Sequence, residues 1–295
     1  MIVMNLNGGL GNQLFQYALG RHLSITHNTP LGFDISSVEA DPNRNYRLDS
    51  FNISGTVMVI KKTSAGKRFN ETSLINKFIS DTNTLYRFFN QELTVIRENG
   101  FEFQANILKC PNNSFLEGYW QTEKYFKSIE SIIRADLTLV KPLTPNLAAL
   151  EDEITKTISI SIHVRRGDYA SNPVTTAYHG LYAIDWYQMA IKEMEKSLGR
   201  QVHFFIFSDD YDWVKTNLKL DMPCTFIKPS PDGMEAQDLY LMSRCKHNIT
   251  ANSSYSWWAA WLNPNPTKKV IAPAKWFMGA DSNTIDLIPS GWMKI

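Results

Sequence analysis

From Thr157 to Ile271 short apolar runs alternate with stretches of helical periodicity, and this alternation constrains the fold more than any other feature. Runs at 157–164, 202–207, 224–227, 247–250 and 270–271 read as strands. Between them lie helical patterns at 184–198, 213–218 and 236–245, and a helix opened by Asn252-Ser253-Ser254 that carries Trp257, Trp258 and Trp261. Strand–helix repetition implies a parallel sheet with both faces covered. Its strands end along one edge, where such sheets bind ligands. Three of these ends carry polar clusters: Arg165-Arg166-Gly167-Asp168, Ser208-Asp209-Asp210 and Asn252-Ser253-Ser254. Their convergence predicts one site.

The chemistry of each cluster is specific. Guanidinium matches phosphate oxygens bidentately. Strand neighbours point to opposite faces, so Arg165 and Arg166 are expected to divide the work, one on a phosphate and one on an internal carboxylate. A pair of edge arginines in surface salt bridges is the competing account. Asp209 and Asp210 can accept from ribose or base N–H groups, or Asp210 can cap the next helix. Asp210-Tyr211-Asp212 also fits a D-x-D metal–nucleotide pattern, disfavoured because Asp212 falls inside the helix start. The Asn252–Ser254 turn reads both as an N-cap and as a phosphate cradle. The three tryptophans read as helix-packing core before sugar platform.

The first half opens with a strand at 2–6 and the turn Asn7-Gly8-Gly9-Leu10-Gly11-Asn12-Gln13, followed by a helix and a second strand at 30–34. A glycine turn lets backbone amides approach an anion or a sugar hydroxyl. Gly9, Gly11 and the downstream Asp34 permit a nicotinamide-dinucleotide reading. Leu14 stands where the third glycine belongs, and the amides of Asn12 and Gln13 suit a sugar better. Further strands are expected at 56–60 and 115–120, a helix at 74–89, and a helix capped by Thr122 through Ile133. The proline-bearing stretch 136–146 marks the junction between domains 1–140 and 147–295, with a C-terminal tail able to return to the first.

Composition excludes several classes. With 43% apolar residues, 20% charged and a formal net charge of +1, the chain has no global field for nucleic acid. Three separated cysteines argue against a disulfide framework or zinc site. A strand starting at Ile2 leaves no room for a signal peptide, and no apolar run reaches transmembrane length. A cytoplasmic protein is expected. The patch Lys61, Lys62, Lys67 and Arg68 reads as a solvated loop, with peripheral membrane or acceptor contact as the second reading.

GGLGNQLFQYA at 8–18, HVRRGDY at 163–169, FSDD at 207–210 and NSSYSWW at 252–258 together resemble the bacterial α-1,2-fucosyltransferases of glycosyltransferase family 11. The resemblance is collinear from Gly8 into the last third and weakest over 35–110. It implies a GT-B type α/β architecture, two Rossmann-like domains with parallel sheets facing across a cleft. It implies GDP-fucose as donor, a β-galactoside acceptor, inversion at the anomeric carbon and no metal or other cofactor. A wider similarity to α-1,6- and protein O-fucosyltransferases puts Arg165 on the β-phosphate, His163 beside the nucleotide, Asp238 on guanine and Ser254 on phosphate. Arg166, Ser208, Asp209, Asp210, Asn252 and Ser253 complete the donor side. Gly9, Gly11, Asn12 and Gln13 form the sugar side. No catalytic base is evident: Pro173 stands where the α-1,6 enzymes carry glutamate. Asp168, His179 and Asp185 are the candidates, with Asp168 as base or orienting group, unless the proton leaves through water. A non-catalytic glycan-binding protein would leave the three strand-end clusters idle.

Overall fold

A computed structural model describes residues 1–62, 69–74, 93–167, 170, 172–199, 201–279 and 283–295. The chain divides into two compact units: Met1–Val140 with Ile285–Leu287, and Lys141–Thr284 with Ile288–Ile295.

The first unit runs β1 (Ile2–Asn5), α1 (Leu10–Thr26), β2 (Leu31–Asp34), α2 (Ser36–Glu39), β3 (Thr56–Lys62), β4 (Phe69–Leu74), β5 (Thr94–Arg97), β6 (Ser114–Glu117) and α3 (Glu130–Asp136). Its sheet has the order β4-β3-β2-β1-β6-β5. All neighbours are parallel except β3 and β4. Central β1 is buried along its whole length, as a strand covered on both faces must be.

Three expectations change here. The strand at 115–120 stops at Glu117, because Trp120 takes a left-handed backbone, φ +58°. Thr122 caps only a short 3-10 turn, followed by a second such turn before α3 begins at Glu130. Leu74 ends a strand instead of opening a helix. Residues 75–89 of that expected helix lie outside the described residues, as do Lys67 and Arg68.

The second unit runs α4 (Pro145–Lys156), β7 (Ile158–Val164), α5 (Pro173–His179), α6 (Ile184–Leu198), β8 (Val202–Ser208), α7 (Tyr211–Asn217), β9 (Cys224–Ile227), α8 (Glu235–Arg244), β10 (His247–Ile249), α9 (Ser254–Leu262), β11 (Val270–Ala272) and β12 (Met293–Lys294). Its sheet, β12-β11-β10-β7-β8-β9, is parallel throughout. Ile160, Ile162 and Val164 of β7 pack with Phe204 and Ile206 of β8 and with Ala190, Ile191 and Met194 of α6. The alternation of β7 thus supplies one face of the core. The polar residues between are also buried, and Asn248 Nδ2 donates to Ser161 Oγ at 2.7 Å. Trp257, Trp258 and Trp261 are buried. That is the core reading, and it removes the sugar-platform basis for a glycan-binding protein.

Candidate active site

Strand order in the second sheet reverses at β7: β8 and β9 extend one way, β10, β11 and β12 the other. The carboxyl ends of β7 and β10 therefore bound a switch-point crevice, the usual ligand position in open α/β sheets. Register pairs Val164 with Ser208, so the next residues out, Arg165 and Asp209, meet. Arg165 Nη1 lies 2.6 Å from Asp209 Oδ2, and Asp209 Oδ1 accepts from the Arg166 amide at 2.8 Å. Gly167 makes room: a Cβ there would stand 2.5 Å from Asp209 Oδ2.

Arg166 Nε reaches Asp210 Oδ2 at 3.1 Å, and its guanidinium lies 3.5 Å over the Trp213 ring, a favourable cation–π placement. Asp210 Oδ1 caps α7 by accepting from Trp213 N at 3.3 Å, and Asp210 N donates to Ser208 Oγ at 3.0 Å. Both arginines thus meet a carboxylate just past the end of β7.

On the other wall Ile249 of β10 pairs with Ile162, and continuing that register sets Asn252 beside Arg165. Asn252 Nδ2 donates to His179 O at 2.9 Å and Trp276 O at 3.2 Å, so its amide anchors neighbouring segments. Ser253 is the N-cap of α9, yet its hydroxyl makes no capping bond. Ser254 is the first helical residue and half-buried.

Asp238 sits buried near the start of α8. Ser230 N donates to its Oδ2 at 2.8 Å and Ser230 Oγ to its Oδ1 at 2.7 Å. Burial raises its carboxyl pKa and the Ser230 bonds oppose the rise. Each oxygen retains an acceptor position, enough for two N–H groups. Tyr255 joins this helix to the crevice: its hydroxyl donates to Glu235 O at 2.6 Å, and its ring lies 5.4 Å from that of His163. Burial pushes the His163 pKa down to about 4, with Asp209 opposing and Arg165 reinforcing. The imidazole is therefore neutral at physiological pH. Its Nδ1 and Gln237 Oε1 are buried without a partner, and such orphans are rare enough to mark a site.

Asp168 lies outside the described residues. His179 packs edge-on to Tyr178 and against Phe277, and Asp185 is exposed in the first turn of α6. Among the described residues no three His, Cys, Asp or Glu side chains gather as metal ligands. A cavity of about 720 Å³ bordered by Ile158, Lys246, His247 and Lys269 lies at the amino ends of these strands, away from the crevice. Its cations serve the fold: Lys269 Nζ donates to Ser197 O at 2.9 Å and Arg244 Nε meets Glu151 Oε1 at 2.9 Å.

The first sheet reverses at β1. Gln16 ties the exits of β1 and β6, accepting from Asn7 N at 3.1 Å and donating to Gly118 O at 2.9 Å. Asn12 Oδ1 accepts from Gln121 Nε2 at 2.8 Å. Gln13 is buried, donates to Gly8 O and Asn45 O and accepts from Arg47 N, so its amide anchors the loop at 45–47. Gly9 is the extended N-cap of α1 and Gly11 lies buried in its first turn. Asp34 is fully buried and accepts from Asn5 Nδ2 at 3.2 Å, Ser36 N at 3.1 Å and Ser36 Oγ at 2.9 Å. These internal donors occupy its carboxylate, and the dinucleotide reading loses its acid. Sequence reasoning passed over Glu98, Trp120 and Gln121 at this edge; a Gly-Tyr-Trp-Gln run directly after a strand was the available signal.

The profile of glycosyl transferase family 11 matches residues 1–287. The chain belongs to glycosyltransferase family 11. An α-1,2-colitosyltransferase of Escherichia coli is 33% identical, over 100% of this chain and 99% of its own. The O-antigen biosynthesis glycosyltransferase WbnK of Escherichia coli is 32% identical, over 98% and 99%. Two crystal structures of the fucosyltransferase NodZ, one from Bradyrhizobium and one co-crystallized with GDP, give TM-scores of 0.52 and 0.51 at 16% identity, covering 89% of this chain and 92% of theirs. The two-unit α/β architecture of this family 11 glycosyltransferase is thus the expected GT-B type. Among the described residues no helix is long and apolar enough to cross a membrane.

Proposed function

We propose that this family 11 glycosyltransferase moves L-fucose from GDP-fucose to the 2-hydroxyl of a terminal β-galactoside in a surface glycan, with inversion at the anomeric carbon. The observation that carries the reading is the meeting of Arg165, the Ser254 helix start and the Asp238 helix at the β7/β10 crevice. Arg165 takes the β-phosphate, Ser254 a phosphate oxygen through its hydroxyl or amide, and Asp238 the N–H edge of guanine. His163 lines the nucleotide site as a neutral ring. The similar proteins named for α-1,2-colitosyl transfer and O-antigen biosynthesis, and the fold shared with a GDP-bound fucosyltransferase, support this assignment.

Glycosyl transfer passes through an oxocarbenium-like state while GDP leaves with growing negative charge. Donors fixed at that leaving group supply the main stabilisation. Arg165 fills this role without a divalent cation. A nucleotide-sugar donor and a surface-glycan acceptor fit a reaction in the cytoplasm, with the acceptor at the inner face of the membrane.

The test is GDP release and product linkage on incubating the protein with GDP-fucose and lactose or N-acetyllactosamine. Acceptor-dependent GDP release with an α-1,2 product is expected, undiminished by EDTA. Release no faster than without acceptor refutes the reading, and a loss restored by manganese would return Asp210 and Asp212 to metal work. The colitosyltransferase relative favours a second reading in which the donor sugar is colitose; faster turnover of the colitosyl nucleotide would select it.

A further inference from the structure

We propose that the β1/β6 crevice of the first unit is a sugar-hydroxyl site for the acceptor, formed by Glu98, Trp120 and Gln121. The assignment rests on the transferase reading and extends it to residues that no motif marks. Register pairs Glu117 with both Asn5 and Arg97, so the exits of β1, β5 and β6 lie side by side at the switch point of the first sheet. Such crevices take ligands for topological reasons alone.

Two buried groups there lack partners. Trp120 is fully buried and its Nε1–H donates to nothing; Gln121 is 7% exposed and its Oε1 accepts from nothing. Leaving such groups unmatched is costly, so each invites a partner. A sugar hydroxyl can donate and accept, so it can answer either one. The other face of Gln121 is fixed by its bond to Asn12.

Glu98 is held as firmly. Its Oε2 accepts from Tyr119 N at 2.6 Å and its Oε1 from Trp120 N at 2.8 Å. One lone pair on each oxygen remains for a ligand. Gly118 brings carboxylate and indole together: a Cβ there would overlap Glu98 Cβ and stand 2.8 Å from Glu98 Oε2 and 2.9 Å from Trp120 Cε2, the carbon bonded to Nε1. The left-handed backbone of Trp120, φ +58°, is strained for a bulky residue and is the kind of distortion kept at ligand sites. Beside it Tyr119 is 39% exposed.

The test titrates lactose into the ¹⁵N-labelled full chain with GDP present, following the Trp120 indole N–H among the eight tryptophans, assigned with Trp120→Phe. That resonance is expected to move on saturation. Glu98→Gln and Trp120→Phe are each expected to raise the lactose KM about tenfold, the worth of one lost hydrogen bond of 1.4 kcal/mol, with GDP affinity unchanged within twofold. A purely structural role would leave the wild-type resonance still and would not separate KM from kcat. If the wild-type protein transfers fucose while the resonance and both KM values stay put, the acceptor site is wrong and the transferase reading stands. If the wild-type protein is inert with every galactoside, both fall.

Discussion

The carboxyl edges of the two sheets share a topology and differ in chemistry. Each is a reversal of strand order with a polar helix start on one wall. The second is built from two arginine–aspartate pairs, at 2.6 and 3.1 Å, which suits a ligand carrying formal charge. The first is built from amides, an indole and one carboxyl whose pKa burial raises to about 7 against two backbone N–H bonds, which suits neutral hydroxyls. Strand order fixes where a ligand sits; the residues just past the strand fix what kind it is.

Removing a charge from the second edge should cost the most. Arg165→Ala is expected to lower kcat by about 10²–10³-fold, the loss typical of a donor that stabilises developing charge, and to weaken GDP binding. Lysine there should restore little, since the bidentate fork is gone. Near-normal turnover in Arg165→Ala would erase the charged side of the comparison. Asp238→Ala should cut the preference for GDP over ADP in competition by about 10²–10⁴-fold, from two hydrogen bonds to a carboxylate; an undiminished preference would move guanine elsewhere.

At the first edge Asn12→Ala should slow turnover by about tenfold and leave GDP affinity within a few-fold. Lost GDP affinity would mean that the first unit also holds nucleotide. The smallest effects are on stability, and their signs differ between the units. His163 falls from an ordinary 6.5 to about 4, so the native state binds fewer protons than the unfolded chain in that window. Its contribution is present above 6.5 and is lost as pH falls toward 4. Glu98 rises from 4.5 to about 7, so its contribution declines as pH rises through that range. Unfolding monitored across pH should flatten on the acid side in His163→Asn and on the neutral side in Glu98→Gln. Unchanged profiles would show that neither group is desolvated.

The second unit was far more legible in sequence than the first. β7 alternates over its whole length, and α6 repeats its apolar positions at three and four, so both elements stand where the pattern puts them. α4 has Leu147, Leu150 and Ile154 at helical spacing, but the prolines at 142 and 145 make its start read as a junction, and only Ile154 is buried. β12 has two exposed residues and is a strand only through backbone pairing with β11. The identity of the site residues was legible as polar clusters after strands, while their pairing was not. Arg165 meets Asp209 because of the β7/β8 register, which sequence alone does not give. The left-handed turn at Trp120 had no glycine to announce it.

Residues 285–287 belong to the first unit although the chain on either side belongs to the second. Asp286 binds the Lys124 ammonium and accepts from Phe103 N at 2.8 Å, and Leu287 is buried. Neither unit is therefore one continuous stretch of gene. A chimera made by a single crossover near residue 140 would bring a foreign tripeptide to the first unit, with its ion pair and buried leucine left to chance. Recombination between relatives should succeed more often when 285–287 travels with the first half, so an exchange of the first unit takes two crossovers beyond the one near residue 140.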